Sequence, residues 1–280
     1  MLKSQVVTVC QDIVDYVDNG DRTDAIIIDF SKAFDLVAHG RLFMKIANSG
    51  MDSRVVVWIR EFLLGHTQRV REGGHLSEEV RVTSGVLQGG VLGPLLFLAY
   101  VNDISRNNES TIRLFADDYV IYRKIINKED RKVAERSGQA WAVENAMKIN
   151  PSKNKAVHFT TARVKDPLDY SLANTLIPEA SSCKYLGIIL RSNLSWVDQI
   201  NYMVKKAWKA LHFTMQILKK GNSNTRSLAY MSLVRPILEY VAPCWEPCRG
   251  GQVTVLQGAK ESSQICTSYE QFQLGNFGVA

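Results

Sequence analysis

The chain is poor in cysteine and has no long unbroken apolar run. Its five cysteines in 280 residues, Cys10, Cys183, Cys244, Cys248 and Cys266, are odd in number and scattered. That pattern excludes a disulfide scaffold of the kind found in small secreted domains. Cys244 and Cys248 are too isolated for a zinc site, which needs about four ligands. No stretch approaches the ~20 apolar residues of a membrane span; the longest, Val91 to Val101, is interrupted by Gly93 and Pro94. Met1 to Cys10 lacks the apolar core of a signal peptide. These absences point to a reduced intracellular compartment, nuclear or cytoplasmic, with no membrane partner. Repeats with a period of roughly 20–50 residues and low-complexity tracts are also missing.

Acidic residues are outnumbered, 28 against 34 basic, for a net charge of +6. A basic excess favours a polyanionic partner, although ribosomal, membrane-surface and simply soluble basic proteins share it. Hydrophobic residues make up 46% and charged residues 22%, enough for a sizeable core. The length suits one large or two smaller domains.

The most informative stretch is Leu114 to Tyr122, where Asp117 and Asp118 sit between two short apolar runs. Thr111 to Phe115 and Tyr119 to Tyr122 read as strands, and a tight turn between them suits Asp. The result is a hairpin with two carboxylates at its tip. Adjacent like charges destabilise one another, so a divalent cation suits the place; Mg²⁺ is commonly held by one or two carboxylates plus phosphate oxygens. Taken alone, such a pair is more often a solvated surface turn. Ala25 to Phe30 reads as a buried strand, with Asp29 near its C-terminal end. A buried acid is costly unless hydrogen-bonded or bound to a metal, and taken alone a satisfied structural Asp is the simpler explanation. Ser84 to Pro94 is a glycine-rich lead-in to an apolar helix ending near Asn102. Its glycines permit close backbone approach to a ligand, or serve plain turns.

Helical spacing marks Gln11 to Asn19, Leu42 to Ala47, and a segment capped by Asp52 or Ser53 with Val55, Ile59 and Phe62 on one face. Thr67 to Arg71 and Glu79 to Thr83 flank Gly73-Gly74 as a hairpin. Arg69, Arg71 and Arg81 lie on it, either as phosphate contacts or as a solvated edge. Lys128 to Met147 predicts an amphipathic helix packing through Val133, Ala140, Trp141 and Val143. Lys155 to Thr160 and Lys184 to Leu190 read as strands. After Asn193 the pattern turns helical, with a stripe of Ile200, Met203, Val204, Ala207, Trp208, Leu211 and Met215. Lysines 205, 206, 209, 219 and 220 cover the remainder, a face that can track a nucleic-acid backbone or simply stay solvated. A last helix spans Thr225 to Val241.

Taken in order, these segments resemble the reverse transcriptase domain of non-LTR, LINE-type retrotransposons. Asp29-Phe30-Ser31-Lys32-Ala33-Phe34-Asp35 resembles that family's motif A, Gly85 to Pro94 its motif B, and Phe115-Ala116-Asp117-Asp118 its motif C. Asn150-Pro151-Ser152-Lys153 resembles motif D and Tyr185-Leu186-Gly187 the primer-grip motif E. Leu233 to Tyr240, with Pro243 and Trp245, matches the segment after the thumb. Six ordered motifs over residues 3–248 make a chance match very improbable.

The resemblance implies an α+β fold: a polymerase right-hand palm with an antiparallel sheet and packed helices, a helical thumb, and fingers largely missing. It implies a palm with residual fingers over residues 1–191, a thumb and connection over 192–248, and an irregular tail over 249–280. It further implies RNA-directed DNA polymerisation with an RNA template, a DNA primer, dNTPs and two Mg²⁺ ions, with Mn²⁺ as a substitute. Two metals about 4 Å apart suit in-line attack of a primer hydroxyl on a phosphate. Asp29 and Asp117 would be the bridging metal ligands and Asp118 a supporting acid. Lys153 would stabilise or protonate the leaving pyrophosphate. Phe34 would be the steric gate against a ribose 2′-hydroxyl, and Gln88 and Gly89 would line the nucleotide and template pocket. Tyr185, Leu186 and Gly187 would hold the primer, and Asp35 would be structural.

The chain departs from the family in three places. Motif B usually reads Pro-Gln-Gly-Ser, where this chain has Leu87-Gln88-Gly89-Gly90. Little precedes Gln5, where family domains carry fingers. The tail lacks the family's Asn-Trp-Glu-Thr-Leu-Ala, yet plausible codons for Leu274 onward, moved by one base, read Trp-Glu-Thr-Leu. The hypothesis is a frameshifted remnant from about Gln257; the coding DNA tests it, since codons that cannot give that reading sink the idea. The alternative function is a catalytically dead nucleic-acid-binding remnant of a retrotransposon.

Overall fold

The computed structural model describes residues 2–106, 108–150, 152–160, 170–172, 175–219 and 221–245. The tail over 249–280, on which the frameshift hypothesis falls, and Pro151 of the motif D segment lie outside the described residues. Residues 16–181 form one compact unit; residues up to 15 and those from 182 onward belong to another.

Helix α1 (Leu2–Asp18) is continuous and begins well before the Gln11 expected from spacing. In the first unit the central strand is β1 (Thr23–Asp29), where Ile26, Ile27 and Ile28 supply the β-branched run that suits a pleated sheet. Helices α2 (His39–Asn48) and α3 (Ser53–Leu63) follow. Asp52 caps α3, its side chain accepting from the Arg54 amide. On that helix Ile59 is buried, but Val55 is exposed and leaves the expected packing face.

A narrow ribbon comes next. Strand β2 (Thr67–Gln68) pairs with β5 (Val80–Arg81), and β3 (Arg71–Glu72) with β4 (His75–Leu76), all antiparallel. Gly73 and Gly74 close it at φ 56 and 88, as a two-residue hairpin turn of this hand demands. Arg69 pairs with Glu79 along it.

Helix α4 (Leu92–Val101) leads to the hairpin of β6 (Thr111–Phe115) and β7 (Asp118–Lys124). Helix α5 (Lys128–Glu144) carries a full capping box at Asn127 and Asp130. Strands β8 (Lys155–Phe159), β9 (Ser171–Leu172) and β10 (Thr175–Leu176) complete the unit. The main sheet has the order β6-β7-β1-β8, with every neighbouring pair antiparallel.

The face of α5 differs from the expectation. Val143 and Ala140 point to solvent, while Ala134, Ser137, Gly138, Trp141 and Ala142 are buried. The reason is proximity: a Cβ on Gly138 would lie 2.9 Å from Ile28 and 3.0 Å from Ile121. Small residues let the helix settle directly on the sheet, and this holds the two strands that carry the acids.

Beneath the sheet lies a polar cluster that the sequence does not announce. Asp24 and His158 are each 1% exposed and paired across β1 and β8. The Tyr170 hydroxyl donates to Asp24 Oδ2 at 2.7 Å, and Arg131 Nε lies 3.4 Å from the same oxygen. Burial, then the Asp24 charge and hydrogen bond, hold the Tyr170 hydroxyl far above its ordinary range.

In the second unit, Lys184 to Leu190 is a hairpin and not the single strand read from the sequence. Strand β11 (Ser182–Tyr185) turns back into β12 (Ile188–Arg191) through Leu186 and Gly187, at φ 45 and 84. The Tyr240 hydroxyl donates to the Leu186 carbonyl at 2.8 Å, and its ring lies 3.2 Å from where a Gly187 Cβ would sit. Helix α6 (Val197–Ile217) buries Ile200, Met203, Ala207 and Leu211 as expected, with Trp208 turned outward. The expected helix from Thr225 to Val241 is broken into pieces. Helix α7 (Ser223–Ala229) passes into one π-helical turn, Tyr230–Val234, then α8 (Arg235–Leu238) and α9 (Ala242–Trp245). Pro236 has no amide to donate and crowds the preceding turn, which the wider π turn relieves.

Candidate active site

The site grows from the end of β1. In register, Asp29 faces Asp118, the first residue of β7, after Ile28 faces Tyr119 and Ile27 faces Val120. Side chains alternate along a strand, so Asp29 and Asp118 emerge on the same face. Asp117 sits in the turn before β7, beside Ala116 at φ 53. Non-glycine residues are uncommon there, and the strained turn presents consecutive carboxylates instead of burying one.

The loop after α5 clasps Asp29. Ser31 donates its amide to Lys148 at 2.8 Å, Phe30 bridges Ile149, and the Asn150 amide donates to the Asp29 carbonyl at 2.8 Å. Asn154 Oδ1 accepts from the Asp29 amide at 3.0 Å, and Asn150 Nδ2 lies 3.4 Å from Asp29 Oδ2. Lys153 Nζ reaches both Asp29 oxygens, at 3.3 Å and 3.2 Å. Asn150 and Asn154 are the residues that motif reading under-used. The available signal was their position flanking Lys153, since Asn side chains readily bond nearby backbone.

Charge is concentrated here. Burial, then the neighbouring charges of Asp117 and Asp29, raise the Asp118 carboxyl above its ordinary value, and Lys153 offsets part of this. Three carboxylates against one ammonium leave excess negative charge and hard oxygen donors, which fits Mg²⁺ with phosphate oxygens or waters completing its shell. Among the described residues, no group of three or more His, Cys, Asp or Glu is gathered as a ligand cluster. Two facing carboxylates meet the requirement of Mg²⁺ only with ligands brought by substrate.

Phe34 is half-buried and stacked on Phe97, with ring centroids 4.4 Å apart. Its carbonyl accepts from the Val86 amide at 2.9 Å, so Phe34 and the glycine-rich loop are neighbours. Gln88 Nε2 donates to Asp35 Oδ1 at 3.1 Å. Gly89 has φ 91 and no atom within 4 Å of where a Cβ would stand. Lys32, Asp35, His66, Arg81 and Gln88 help line a cavity of about 760 Å³. Asp29, Asp118 and Lys153 are thus brought together, with Asp117 adjoining and Gln88 tied to Asp35. Tyr185, Leu186 and Gly187 belong to the other unit, at the end of β11 and in the turn after it.

Known proteins resemble this chain in sequence and in fold. Residues 6–190 match the family model described as reverse transcriptase (RNA-dependent DNA polymerase). The chain is 27% identical over 282 residues to a probable RNA-directed DNA polymerase from transposon X-element of Drosophila melanogaster. That alignment covers 96% of this chain and 31% of the relative. It is 27% identical over 228 residues to the RNA-directed DNA polymerase from mobile element jockey of Drosophila funebris, covering 76% of this chain and 25% of the relative. The chain thus spans about a third or less of these relatives' length. Among solved structures, apo telomerase from Candida tropicalis shares the fold at 12% identity. The TM-score is 0.52, with 95% of this chain and 46% of that one covered. Telomerase from Candida albicans, in complex with a fragment of telomeric RNA, gives TM-score 0.50 at 11% identity, covering 98% and 55%. No helix among the described residues is long and apolar enough to cross a membrane. With its antiparallel sheet, its α+β build and its ordered motifs, the chain belongs to the reverse transcriptase (RNA-dependent DNA polymerase) family, in its LINE-type branch.

Proposed function

We propose that this chain carries out RNA-directed DNA polymerisation, joining dNTPs to the 3′-hydroxyl of a DNA primer on an RNA template. The observation that carries the reading is the in-register pairing of Asp29 with Asp118, with Asp117 in the adjoining turn. Asp29 and Asp117 are proposed to hold two Mg²⁺ ions, for which Mn²⁺ can substitute, with Asp118 as a supporting acid. Bound there, Mg²⁺ supplies Lewis-acid stabilisation of phosphate oxygens and lowers the pKa of the attacking hydroxyl.

The chain's own groups do the remainder. Asn150 and Asn154 fix the Asp29 backbone. Lys153 carries positive charge to the place where the leaving pyrophosphate gathers negative charge, as preorganised charge does in general. Phe34, braced by Phe97, is proposed to exclude a ribose 2′-hydroxyl, and Gln88 with Gly89 to line the nucleotide pocket. Tyr185, Leu186 and Gly187 are proposed as the primer grip, residues 1–191 as palm and 192–248 as thumb. An intracellular site of action, nuclear or cytoplasmic, follows from the same reading.

The second reading is a nucleic-acid-binding protein without catalysis. The observation in its favour is the basic excess, a net charge of +6, which suits a polyanionic partner without requiring catalysis. Primer extension on poly(rA)/oligo(dT) with Mg²⁺ or Mn²⁺ separates the two, beside a control carrying Asp117→Ala and Asp118→Ala. Extension lost in the control supports the polymerase. Duplex binding without extension in either protein rejects it.

A further inference from the structure

We propose that Asp35 is a positioning residue that holds Gln88 and the glycine-rich loop for a nucleotide, an inference that rests on the polymerase reading above. Asp35 lies outside any strand or helix, in the turn after β1, and its side chain is exposed.

Three groups of the loop converge on it. Gln88 Nε2 donates to Asp35 Oδ1 at 3.1 Å. Ser84 Oγ donates to the Asp35 carbonyl at 3.1 Å. A Cβ on Gly85 would lie 2.9 Å from the Asp35 carbonyl oxygen and 3.0 Å from its Cα, at φ 93. Only glycine allows that approach.

The base of the loop is well fixed. Gly85 donates to the Val37 carbonyl at 2.8 Å, Val86 to that of Phe34 at 2.9 Å, and His39 Nε2 meets the Gly85 carbonyl at 2.7 Å. The tip is open: neither Gly89 nor Gly90 has any atom within 4 Å of a Cβ position. Leu87 and Gly90 stand where the family carries proline and serine, so a fixed φ and a side chain are both lost from this tip. The Asp35 carboxylate then supplies the side-chain tether that the loop composition does not. With one N–H committed to Asp35, the Gln88 amide keeps its carbonyl oxygen as an acceptor and a second N–H as a donor. The ligand groups that suit the oxygen are donors, such as a sugar hydroxyl or a base amino group.

The test compares Asp35→Ala, Asp35→Asn and Gln88→Ala by amide hydrogen exchange over residues 84–90 and by dNTP kinetics on poly(rA)/oligo(dT). Asp35→Ala is expected to speed exchange in the loop and raise KM for dNTP by about three- to tenfold, the worth of one net hydrogen bond. The accompanying change in kcat is expected to stay within about twofold. Asp35→Asn keeps an acceptor oxygen and is expected to recover most of both losses. In a Gln88→Ala background, Asp35→Ala is expected to add little.

Unchanged exchange and unchanged KM in Asp35→Ala overturn the proposal, as does an Asn variant as impaired as the Ala variant, or additive losses in the double variant. An inert wild type rejects the polymerase reading, and the exchange arm then decides the tether by itself.

Discussion

The Lys153 ammonium lies 3.2 Å and 3.3 Å from the two carboxylate oxygens of Asp29. A cation arriving at Asp29 therefore meets a positive charge already in place. Lys153→Met is expected to strengthen Mn²⁺ binding by about two- to fivefold, the worth of a solvent-exposed charge pair. The measurement is a Mn²⁺ titration followed by electron paramagnetic resonance. Weaker binding in the variant would mean that Lys153 supports the cation site and does not compete with it.

Asp118 provides a pH signature. Burial and then Asp117 and Asp29 raise its carboxyl, so the folded state binds this proton more tightly than the unfolded chain does. Its stabilising contribution is complete below the unfolded carboxylate pKa and is lost as pH rises through the raised folded value. Asp118→Asn is expected to gain a few tenths to about 1 kcal/mol at neutral pH, scaled for its exposure, and to lose that advantage towards acid. Urea melts across the range read the difference. Equal shifts at both ends of the range would contradict it.

Gly138 fixes the seat of α5 on the sheet. Gly138→Leu drives a branched side chain into Ile28 and Ile121 and is expected to cost about 1–3 kcal/mol as overpacking. Gly138→Ala meets only the mobile ends of those side chains and gains helix propensity, so it is expected to stay within about 1 kcal/mol. Chemical denaturation of the two variants checks the ordering.

Asp24 gathers His158, Tyr170 and Arg131 in the interior. Asp24→Ala removes their shared acceptor and is expected to cost about 3 kcal/mol or more, as breaking a buried pair does. Tyr170→Phe removes one donor to the Asp24 carboxylate and is expected to cost less, about 1.5–3 kcal/mol. The two urea midpoints, measured side by side, give the comparison.

The acids and their hairpin were legible because strand period and turn chemistry act locally: Ile26 to Ile28 can hardly avoid a sheet, and Asp117-Asp118 mark a corner. The Gly73-Gly74 turn and the Asp52 cap were legible for the same reason. The face of α5 was not, since Ser137 and Gly138 are buried for their small size, which a search for apolar stripes overlooks. The β11–β12 turn hid behind Leu186, a residue type that rarely takes φ 45 and is held there beneath Tyr240. Trp208 was assigned to the core by hydrophobicity, yet it stands outward on α6. Asp35 and the two asparagines around Lys153 act through partners distant in sequence, and one chain alone carries no local signal for such pairs.

The seven residue pairs from Thr23 opposite Lys124 to Asp29 opposite Asp118 make this sheet its own proofreader. A slip of a single residue would send every side chain of β1 to the other face. Asp29 would then leave Asp118 and turn toward the apolar side, while Asp24 would lose His158. A mispaired molecule therefore forfeits its acidic pair and its buried polar anchor in one event. Register, acidic pair and buried anchor therefore stand or fall together.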